Sequence, residues 1–279
     1  MARIPCVLSI AGFDPSGGAG IQADLKTCAA LQVYAATVVT AVTVQDTQGV
    51  RKVFPLPASL VAAQLDALAL DMALVAVKTG MLATGETVEV VAAKVREHSL
   101  PRLVVDPVFS SHDGFPLLSE DGIEALRRLL LPLAMVVTPN LLEAETLVGH
   151  PLQDPSDVRA AAKEIWSLGP RVVIVKGGHG EGPSAVDLVY DGQAFLELAS
   201  PRLQGVAAHG TGCTFATAIA AFLARGMEPL EAIRQAKEFV ARALAHAFPV
   251  GRGRRPLHHF WAWWPAPREG RVDIPWAGV

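Results

Sequence analysis

The alternation of short apolar runs with longer segments of helical period constrains the fold of this chain more than any other feature. The runs typical of buried strands are Cys6–Ala11, Ala36–Val44, Leu74–Lys78, Leu103–Asp106, Met135–Thr138 and Val172–Lys176. Between them, apolar residues recur at helical spacing in Gly20–Leu31, Ser59–Leu70, Gly85–Glu97, Asp121–Leu131 and Ser156–Leu168. Because strands that alternate with helices form crossover units, we expect an α/β fold with a mostly parallel sheet covered on both faces.

The second half of the chain departs from this alternation. Two strand-like runs, Ala185–Tyr190 and Gln193–Leu198, are joined by Asp191-Gly192, and a two-residue Asp-Gly link predicts a type I′ turn. We therefore expect the sheet to end in an antiparallel edge hairpin. Two long Ala-rich helices are predicted after it, at Gly212–Arg225 and Pro229–His246.

We expect residues 1–279 to form a single domain, because no repeat, low-complexity tract or linker interrupts the pattern. Residues 265–279 are expected to be a loosely attached tail. His258 and His259 lie close to Trp261, Trp263 and Trp264. This segment could form an aromatic binding surface, but packing against the body of the protein or a dimer contact is the more ordinary role.

Charge and cysteine content exclude several classes of protein. The net charge is −3, and the basic cluster Arg252-Gly253-Arg254-Arg255 is too short to indicate nucleic-acid binding. Apolar stretches are broken well before the roughly 20 residues that a membrane span needs. Three widely separated cysteines, at positions 6, 28 and 213, show no zinc or disulfide spacing and are typical of a reducing compartment. We therefore expect a cytoplasmic protein without nucleic-acid or membrane partners.

Ligands of such sheets bind outside the carboxyl ends of the strands, so the residues at these ends are candidates for the functional site. Polar residues and glycines recur there, at Gly12–Asp14, Gln45-Asp46, Thr79–Met81, Asp106-Pro107, Thr138–Asn140 and Lys176–Gly178. Purely structural turns do not require this repetition. We therefore expect an active site along this edge of the sheet.

The Gly-rich loop after the first strand has a competing interpretation. Residues 18–23 fit the relaxed fingerprint of dinucleotide-binding proteins, which would indicate a nicotinamide-dependent oxidoreductase. The fit is poor, because the loop is long and the next strand-end acid, Asp46, lies too far along the chain for the usual ribose contact. No Gly-Lys-Ser/Thr follows such a loop, so the chain has no Walker A motif.

The strongest functional motif is His-Gly-Thr-Gly-Cys-Thr at residues 209–214, which runs directly into an apolar helix. Gly210 and Gly212 let the backbone approach an anion, and the free N–H groups and dipole at the start of the helix favour negative charge. A Gly-rich turn with a threonine cap is the structural alternative. A thiol in the first helical turn tends towards a lowered pKa, so Cys213 could accept a proton from a substrate hydroxyl.

Other strand ends carry groups that suit phosphate chemistry. Asn140 and Glu143 share one helical face, as expected for groups that organise hydrated Mg²⁺, but the same pair is typical of a capping box. Asp106 could hold a metal ion or form an ordinary Asp-Pro turn. Lys176 could contact phosphate or lie on a flexible Gly-rich turn.

Together these residues resemble the hydroxymethylpyrimidine/phosphomethylpyrimidine kinases of the ribokinase superfamily. The resemblance extends from about Cys6 to Trp264, with the motifs in the family's order. They are AGFDPSGGAGIQADLK (11–26), VQDTQGV (44–50), VKTGML (77–82), VDPV (105–108), TPNLLEA (138–144), VKGGH (175–179) and HGTGCT (209–214).

The resemblance implies a three-layer α/β/α sandwich, ribokinase-like, and a homodimer. It implies an enzyme of thiamine biosynthesis that uses ATP and Mg²⁺ to phosphorylate a pyrimidine hydroxymethyl group and then the resulting monophosphate. Gln45 would read the pyrimidine edge, where an amide can donate and accept. The rest of the substrate pocket would be Gly12, Asp24, Met81 and Val108.

The resemblance also implies roles at the phosphates. The anion hole for the transferring phosphoryl group would be Gly210, Thr211 and Gly212. Mg²⁺ would be organised by Asp106 and Glu143, together with Asn140. The nucleotide would be contacted by Lys176, Asn140 and Thr211. Cys213 takes the position of the Asp base of ribokinase-like sugar kinases, as in the pyrimidine kinases.

One loop departs from the family pattern. After Val108 the family continues Met-x-x-Lys-Ser-Gly, whereas this chain has Phe109-Ser110-Ser111-His112-Asp113-Gly114. Losing a lysine and gaining an aspartate makes the loop less attractive to a phosphate dianion. We expect the second phosphorylation to be weakened, or to depend on other donors such as Ser110, Ser111 or His112.

Three other functions remain alternatives. A pyridoxal or pyridoxine kinase of the same superfamily would phosphorylate a similar hydroxymethyl group. A non-catalytic pyrimidine sensor would bind the ligand without turning over ATP, although the complete set of motifs argues against it. A nicotinamide-dependent oxidoreductase would leave the Gly-Thr-Gly-Cys motif unexplained.

Overall fold

A computed structural model describes residues 4–177, 182, 184–203 and 208–263. Within these ranges the strands are β1 Cys6–Phe13, β2 Tyr34–Asp46, β3 Gly49–Pro55, β4 Leu74–Thr79, β5 Leu103–Val105, β6 Val136–Val137, β7 Val172–Val175, β8 Ser184–Tyr190, β9 Phe195–Pro201, β10 Ala208–His209 and β11 Arg255–Pro256. The α-helices are α1 Gly20–Ala30, α2 Ala58–Asp71, α3 Gly85–Glu97, α4 Glu120–Ala125, α5 Leu141–Val148, α6 Pro155–Ser167, α7 Thr211–Ala224 and α8 Pro229–Ala245.

The central sheet has the strand order β3-β2-β1-β4-β5-β6-β7-β8-β9. Strands β2, β1, β4, β5, β6 and β7 pair with one another in parallel, whereas β3 at one edge and β8 and β9 at the other pair antiparallel. The predicted mostly parallel sheet with an antiparallel edge hairpin is therefore confirmed. The antiparallel strand β3 was not predicted.

Alternate residues of each central strand pack on opposite faces of the sheet. Leu8 and Ile10 of β1 belong to a core with apolar residues of helices α2 to α6, whereas Val7 belongs to a second core with residues of α1, α7 and α8. Both faces are therefore covered by helices. This arrangement is the three-layer α/β/α sandwich.

The hairpin between β8 and β9 corrects the predicted two-residue turn. Tyr190 pairs directly with Phe195, so the loop has four residues instead of two. The Asp191 carboxylate accepts hydrogen bonds from the backbone N–H groups of Gln193 and Ala194, at 2.9 and 2.8 Å. These side-chain bonds close the longer turn, a use of Asp that the two-residue pattern does not anticipate.

The segment after α8 returns to the body of the protein, which is one of the two ordinary roles expected for it. His258 and His259 are buried, and the Thr214 hydroxyl in α7 lies 3.0 Å from His259 Nε2. The predicted tail at 265–279, with Trp264, Gly178 and His179, lies outside the described residues. Among the helices that the structure describes, none is both long enough and apolar enough to cross a membrane.

Candidate active site

A cavity of about 890 Å³ opens along the carboxyl edge of the parallel strands and at the start of α7. It is lined by all but one of the residues for which a catalytic, substrate-binding, nucleotide-binding or metal-binding role was predicted. They are Gly12, Gln45, Met81, Asp106, Val108, Asn140, Glu143, Lys176, Gly210, Thr211, Gly212 and Cys213. The sheet thus brings together residues that are as much as 201 positions apart in the sequence, from Gly12 to Cys213.

Asp24 is the exception, because it does not line the cavity. Its side chain is completely buried, and its carboxylate accepts hydrogen bonds from Ser9, Lys78 and Thr217. The structure does not place it in contact with a substrate in the cavity. The substrate-binding role that the resemblance implies for Asp24 stays a prediction, and contacts inside the protein occupy the carboxylate.

The start of α7 packs tightly against the first loop. Gly210 has a φ of +86°, and a Cβ atom at this position would lie 1.9 Å from the carbonyl oxygen of Gly18. Only glycine fits both this backbone conformation and this close approach. The first N–H groups of α7 consequently face the cavity at a fixed position, which is the geometry needed to bind an anion.

Two carboxylates and one ammonium group lie beside this helix start. Lys176 Nζ is 2.9 Å from Asp106 Oδ1 and 3.8 Å from Glu143 Oε2, and the Thr138 hydroxyl donates to Asp106 at 3.1 Å. A Cβ atom on Gly212 would lie 3.3 Å from Lys176 Nζ. We call Asp106, Glu143, Lys176 and residues 210–213 the charged region.

Burial and neighbouring charges set the protonation states in the charged region. Burial raises the pKa of Glu143 to about 7, with Asp106 raising it further and Lys176 lowering it. Burial lowers the pKa of Lys176, but the two carboxylates reverse this effect and raise it above its usual value. Lys176 therefore carries its positive charge at neutral pH.

Asn140 and Glu143 form the capping box that the sequence analysis weighed as an alternative. The Asn140 side chain accepts from the Glu143 N–H at 2.9 Å, and Glu143 accepts from the Asn140 N–H at 2.7 Å. Both residues also line the cavity. The cap and the site are therefore compatible, because the cap fixes the carboxylate at the edge of the charged region.

Cys213 is half-buried at the start of α7, and the backbone N–H of Gly20 at the start of α1 donates to its sulfur. Burial raises the pKa of the thiol to about 11, Asp24 and Asp106 raise it further, and Lys78 lowers it. The predicted lowering by the helix terminus is therefore wrong. Loss of solvation outweighs the helix dipole at this depth.

The first loop is organised around Asp14, one of the strand-end candidates, for which no individual role was predicted. Its carboxylate accepts from Ser16 and from the Ala19 N–H, and lies 3.1 Å from His209 Nε2. Burial alone would raise the pKa of Asp14, but hydrogen bonds from His209, Ser16 and Ala19 lower it to about 2. Asp14 thus connects the first loop to the residue before Gly210. The position of Asp14 directly after β1 was the sequence feature that indicated a functional residue.

A second part of the cavity, which we call the Gln45 region, contains Gln45, Met81, Val108, residues 109–112 and Arg254. Met81 Sδ would be 2.9 Å from a Cβ atom on Gly12, so the glycine leaves room for the methionine. Arg254 lines the cavity, and its guanidinium lies 3.5 Å from the carboxylate of Asp113. The sequence analysis missed Arg254, although it brings a cation to the loop that lacks the family's lysine.

A third part, the Phe215 region, presents apolar side chains from α7 and α8. They are Phe215, Val240, Ala241 and Leu244. Beside them, Lys237 Nζ lies 2.7 Å from the buried Asp187, which also accepts from the Gly177 N–H at 3.0 Å. The sequence did not single out the four apolar residues, because they are ordinary apolar positions of predicted helices.

Known proteins resemble this chain over most of its length. Residues 14–258 match a sequence model of the family described as Phosphomethylpyrimidine kinase. The hydroxymethylpyrimidine/phosphomethylpyrimidine kinase of Rhizobium meliloti is 46% identical over 260 residues, which cover 92% of this chain and 97% of that protein. The thiamine biosynthesis bifunctional protein of Geobacter sulfurreducens is 45% identical, and the match covers 92% of this chain but only 52% of that longer protein.

Solved structures of kinases also resemble this chain over most of its length. Phosphomethylpyrimidine kinase from Clostridium difficile has a TM-score of 0.77 at 38% identity, covering 87% of this chain and 100% of that chain. Pyridoxal kinase from Staphylococcus aureus, in complex with AMP-PCP and pyridoxal, has a TM-score of 0.85 at 39% identity, covering 93% and 94%. These similarities support a kinase that uses ATP and acts on a small molecule. The chain therefore belongs to the phosphomethylpyrimidine kinase family.

Proposed function

We propose that this chain transfers the γ-phosphoryl group of ATP to 4-amino-5-hydroxymethyl-2-methylpyrimidine, and then phosphorylates the monophosphate to the diphosphate. The observation that carries the proposal is the position of the α7 start, which opens into the same cavity as Gln45 and Met81. An anion site and a site for a flat polar ring are thus adjacent.

The Gln45 region suits the pyrimidine. The Gln45 amide has both donors and an acceptor, so it can pair with a ring nitrogen and the exocyclic amine on one edge. Met81 and Val108 offer apolar contacts for the ring faces. The proposal requires the ring to be held with its hydroxymethyl group towards Cys213, which lines the same cavity.

The charged region suits the phosphates of ATP. Kinases depend on positioning and electrostatic stabilisation, because charge accumulates on the transferring phosphoryl group. The backbone N–H groups at 210–213 and the Lys176 ammonium supply donors for that charge. Residues Asp106 and Glu143 offer the oxygen ligands that Mg²⁺ prefers, and Asn140 adds an amide oxygen. A bound Mg²⁺ would neutralise phosphate charge here, coordinated by carboxylates, water and phosphate oxygens.

The reaction forms a bond between the substrate oxygen and the γ-phosphorus, breaks the bond to ADP and releases the hydroxyl proton. Cys213 is the cavity residue at the start of α7 that can take this proton, and it can do so only as the thiolate. Because its raised pKa keeps the thiol protonated before the reaction, we assign the larger part of the rate enhancement to the anion hole. The Phe215 region, with its apolar walls, suits the adenine ring.

A homodimer and a cytoplasmic location also belong to this proposal. The outer sheet edge exposes apolar side chains on β2 and β3: Tyr34, Val42, Val44 and Phe54. A monomer seldom leaves such a patch uncovered, so a second copy is the proposed occupant. Sedimentation velocity of the purified chain distinguishes a dimer from a monomer, and a monomer at micromolar concentration would contradict this part of the proposal.

Pyridoxal kinase is the second candidate, favoured by one observation. Pyridoxal kinases are among the solved structures with a TM-score of 0.85 to this chain. The pyrimidine kinases remain the better match, because the family model and relatives at 45 to 46% identity carry that name.

Phosphorus NMR of a reaction with ATP and Mg²⁺ tests the proposal by identifying the products. Hydroxymethylpyrimidine should give a phosphomonoester signal that is later replaced by diphosphate signals. Cys213→Ala should slow both steps about 10²-fold, with circular dichroism as the check that the variant is folded. Absence of any phosphorylated pyrimidine would refute the proposal, whereas accumulation of the monophosphate would refute only the second step.

A further inference from the structure

A fully buried ion pair lies beneath the charged region, outside the cavity. Lys78 Nζ is 2.8 Å from Asp24 Oδ2, and both side chains have 0% exposure. Burying two charges carries a large desolvation cost, and a stable structure seldom gains from such a pair on balance. A buried ion pair at this position is therefore a candidate for a functional role.

The Asp24 carboxylate is saturated with donors from three elements. Ser9 of β1 donates at 2.5 Å, Lys78 of β4 at 2.8 Å and Thr217 of α7 at 2.6 Å. Asp24 itself belongs to α1. The cluster thus fixes the relative positions of two strands and of the two helices that begin at the cavity.

The ion pair lies one helical turn below Cys213. Thr217 follows Cys213 by four residues in α7, and Asp24 follows Gly20 by four residues in α1, so each pair shares a helix face about 6 Å apart along the axis. Gly20 donates its backbone N–H to the Cys213 sulfur. A Cβ atom on Gly80, which precedes Met81, would lie 2.8 Å from Lys78 Nζ. The ammonium group is therefore next to the backbone that leads into Met81, a residue of the cavity lining.

Lys78 remains protonated, and therefore positively charged, in this environment. Burial lowers the pKa of Lys78, but Asp24 and, more weakly, Cys213 and Asp106 raise it above its usual value. Lys78 in turn lowers the pKa of Cys213, against Asp24 and Asp106. In a region without water, a fixed cation acts on developing negative charge far more strongly than it would in solvent.

We propose that Lys78, held by Asp24, is a positioning residue that supplies positive potential from below the anion hole and stabilises negative charge at Cys213 and on the transferring phosphoryl group. This inference rests on the proposed kinase activity. It gives Asp24 a role that does not require contact with the substrate.

The test separates the charge of Lys78 from its structural contribution. Lys78→Met leaves the Asp24 carboxylate unpaired, so the paired variant Lys78→Met/Asp24→Asn is made as well, in which the amide introduced at position 24 can still bond Ser9 and Thr217. We expect the paired variant to regain most of the melting temperature lost in Lys78→Met. Its kcat should remain 10- to 100-fold below that of the native chain, because the cation is still absent.

The matched control is Lys94→Met/Asp66→Asn, which removes a partly exposed ion pair with a 2.8 Å separation, away from the cavity. It should keep kcat within about twofold. A paired Lys78→Met/Asp24→Asn variant with native kcat would overturn the inference, since Lys78 would then serve only to neutralise Asp24.

Alkylation of Cys213 by iodoacetamide as a function of pH gives a readout that needs no substrate. The midpoint should rise in Lys78→Met or, if that variant does not fold, in the paired variant, and should not change in the control. An unchanged midpoint would overturn the inference. If the native chain turned over no pyrimidine, the proposed function would fail, while the alkylation profile would still report whether Lys78 acts on Cys213.

Discussion

The charged region and the Gln45 region of one cavity are built in different ways. In the charged region, Asp106 and Glu143 are buried, and Lys176 is held between them. In the Gln45 region, the ion pair between Arg254 and Asp113 is partly exposed, with side-chain exposures of 24% and 45% and a separation of 3.5 Å. The first arrangement is rigid and desolvated, whereas the second is open to solvent and weak.

This difference indicates that the charged region serves phosphoryl transfer, whereas the Gln45 region serves the choice of substrate. Phosphoryl transfer needs donors fixed before the reaction, and buried, mutually bonded groups provide them. Recognition of one small ring among similar ones depends on a few polar contacts, and these can change without disturbing the core. We therefore expect substitutions in the charged region to lower kcat, and substitutions in the Gln45 region to change the preference among substrates.

The largest effect is expected for Gly210→Ala. The new Cβ would meet the Gly18 carbonyl oxygen at 1.9 Å, so the start of α7 must move away from the site. We expect kcat to fall about 10³-fold. Gly226→Ala is the matched control, because Gly226 has a similar φ of +88° with nothing within 4 Å of its Cβ position. Equal kcat values in both variants would show that the close approach at Gly210 has no role.

Gln45→Leu should affect recognition rather than the chemical step. Removing the amide leaves the polar edge of the pyrimidine without a partner, and kcat/KM for hydroxymethylpyrimidine should fall about 10²-fold with an unchanged KM for ATP. Gln48→Leu, at an exposed position in the turn that follows β2, should have no effect. A raised KM for ATP in Gln45→Leu would contradict the separation of the two regions.

His259 makes the free energy of unfolding depend on pH. Burial, with Lys26 and His258, lowers the pKa of His259 to about 3, whereas the unfolded chain binds this proton near pH 6.5. The contribution of His259 to the free energy of unfolding is therefore complete above about pH 6.5 and decreases as the pH falls towards 3. Between pH 6.5 and pH 5 the free energy of unfolding should fall by roughly 2 kcal/mol from this group.

Urea unfolding at several pH values measures this slope. His259→Asn should lower stability at pH 7.5, because it loses the contact with Thr214, and should show a shallower fall towards pH 5. His150→Asn, at an exposed position, should retain the native slope. An unchanged slope in His259→Asn would refute the assignment.

The smallest effect is expected for Arg254→Gln. Because Arg254 is the cation beside residues 109–114, we expect kcat/KM for the monophosphate to fall about tenfold, with a change below twofold for the unphosphorylated pyrimidine. Arg255→Gln is the control, since Arg255 is exposed and does not line the cavity. An equal loss with both substrates would show that Arg254 does not distinguish them.

Local patterns predicted most of the architecture and the positions of the site residues at the strand ends. They do not specify what distant parts of the chain decide. The Asp24 carboxylate is occupied by contacts with Lys78 and Thr217, which are 54 and 193 residues away. The helix-terminus rule for Cys213 fails because burial by several elements raises its pKa. The pairing of Asp113 with Arg254 depends on how the segment after α8 returns, which no local pattern specifies.

The most direct test of the central claim is the ratio of kcat/KM for hydroxymethylpyrimidine to kcat/KM for pyridoxal, measured with the native chain and Mg²⁺-ATP. If Gln45 and Met81 form a pyrimidine site beside the anion hole, the ratio should exceed about 10², because a misplaced polar edge leaves buried groups unpaired. A ratio near or below one would contradict the account and identify the chain as a pyridoxal kinase.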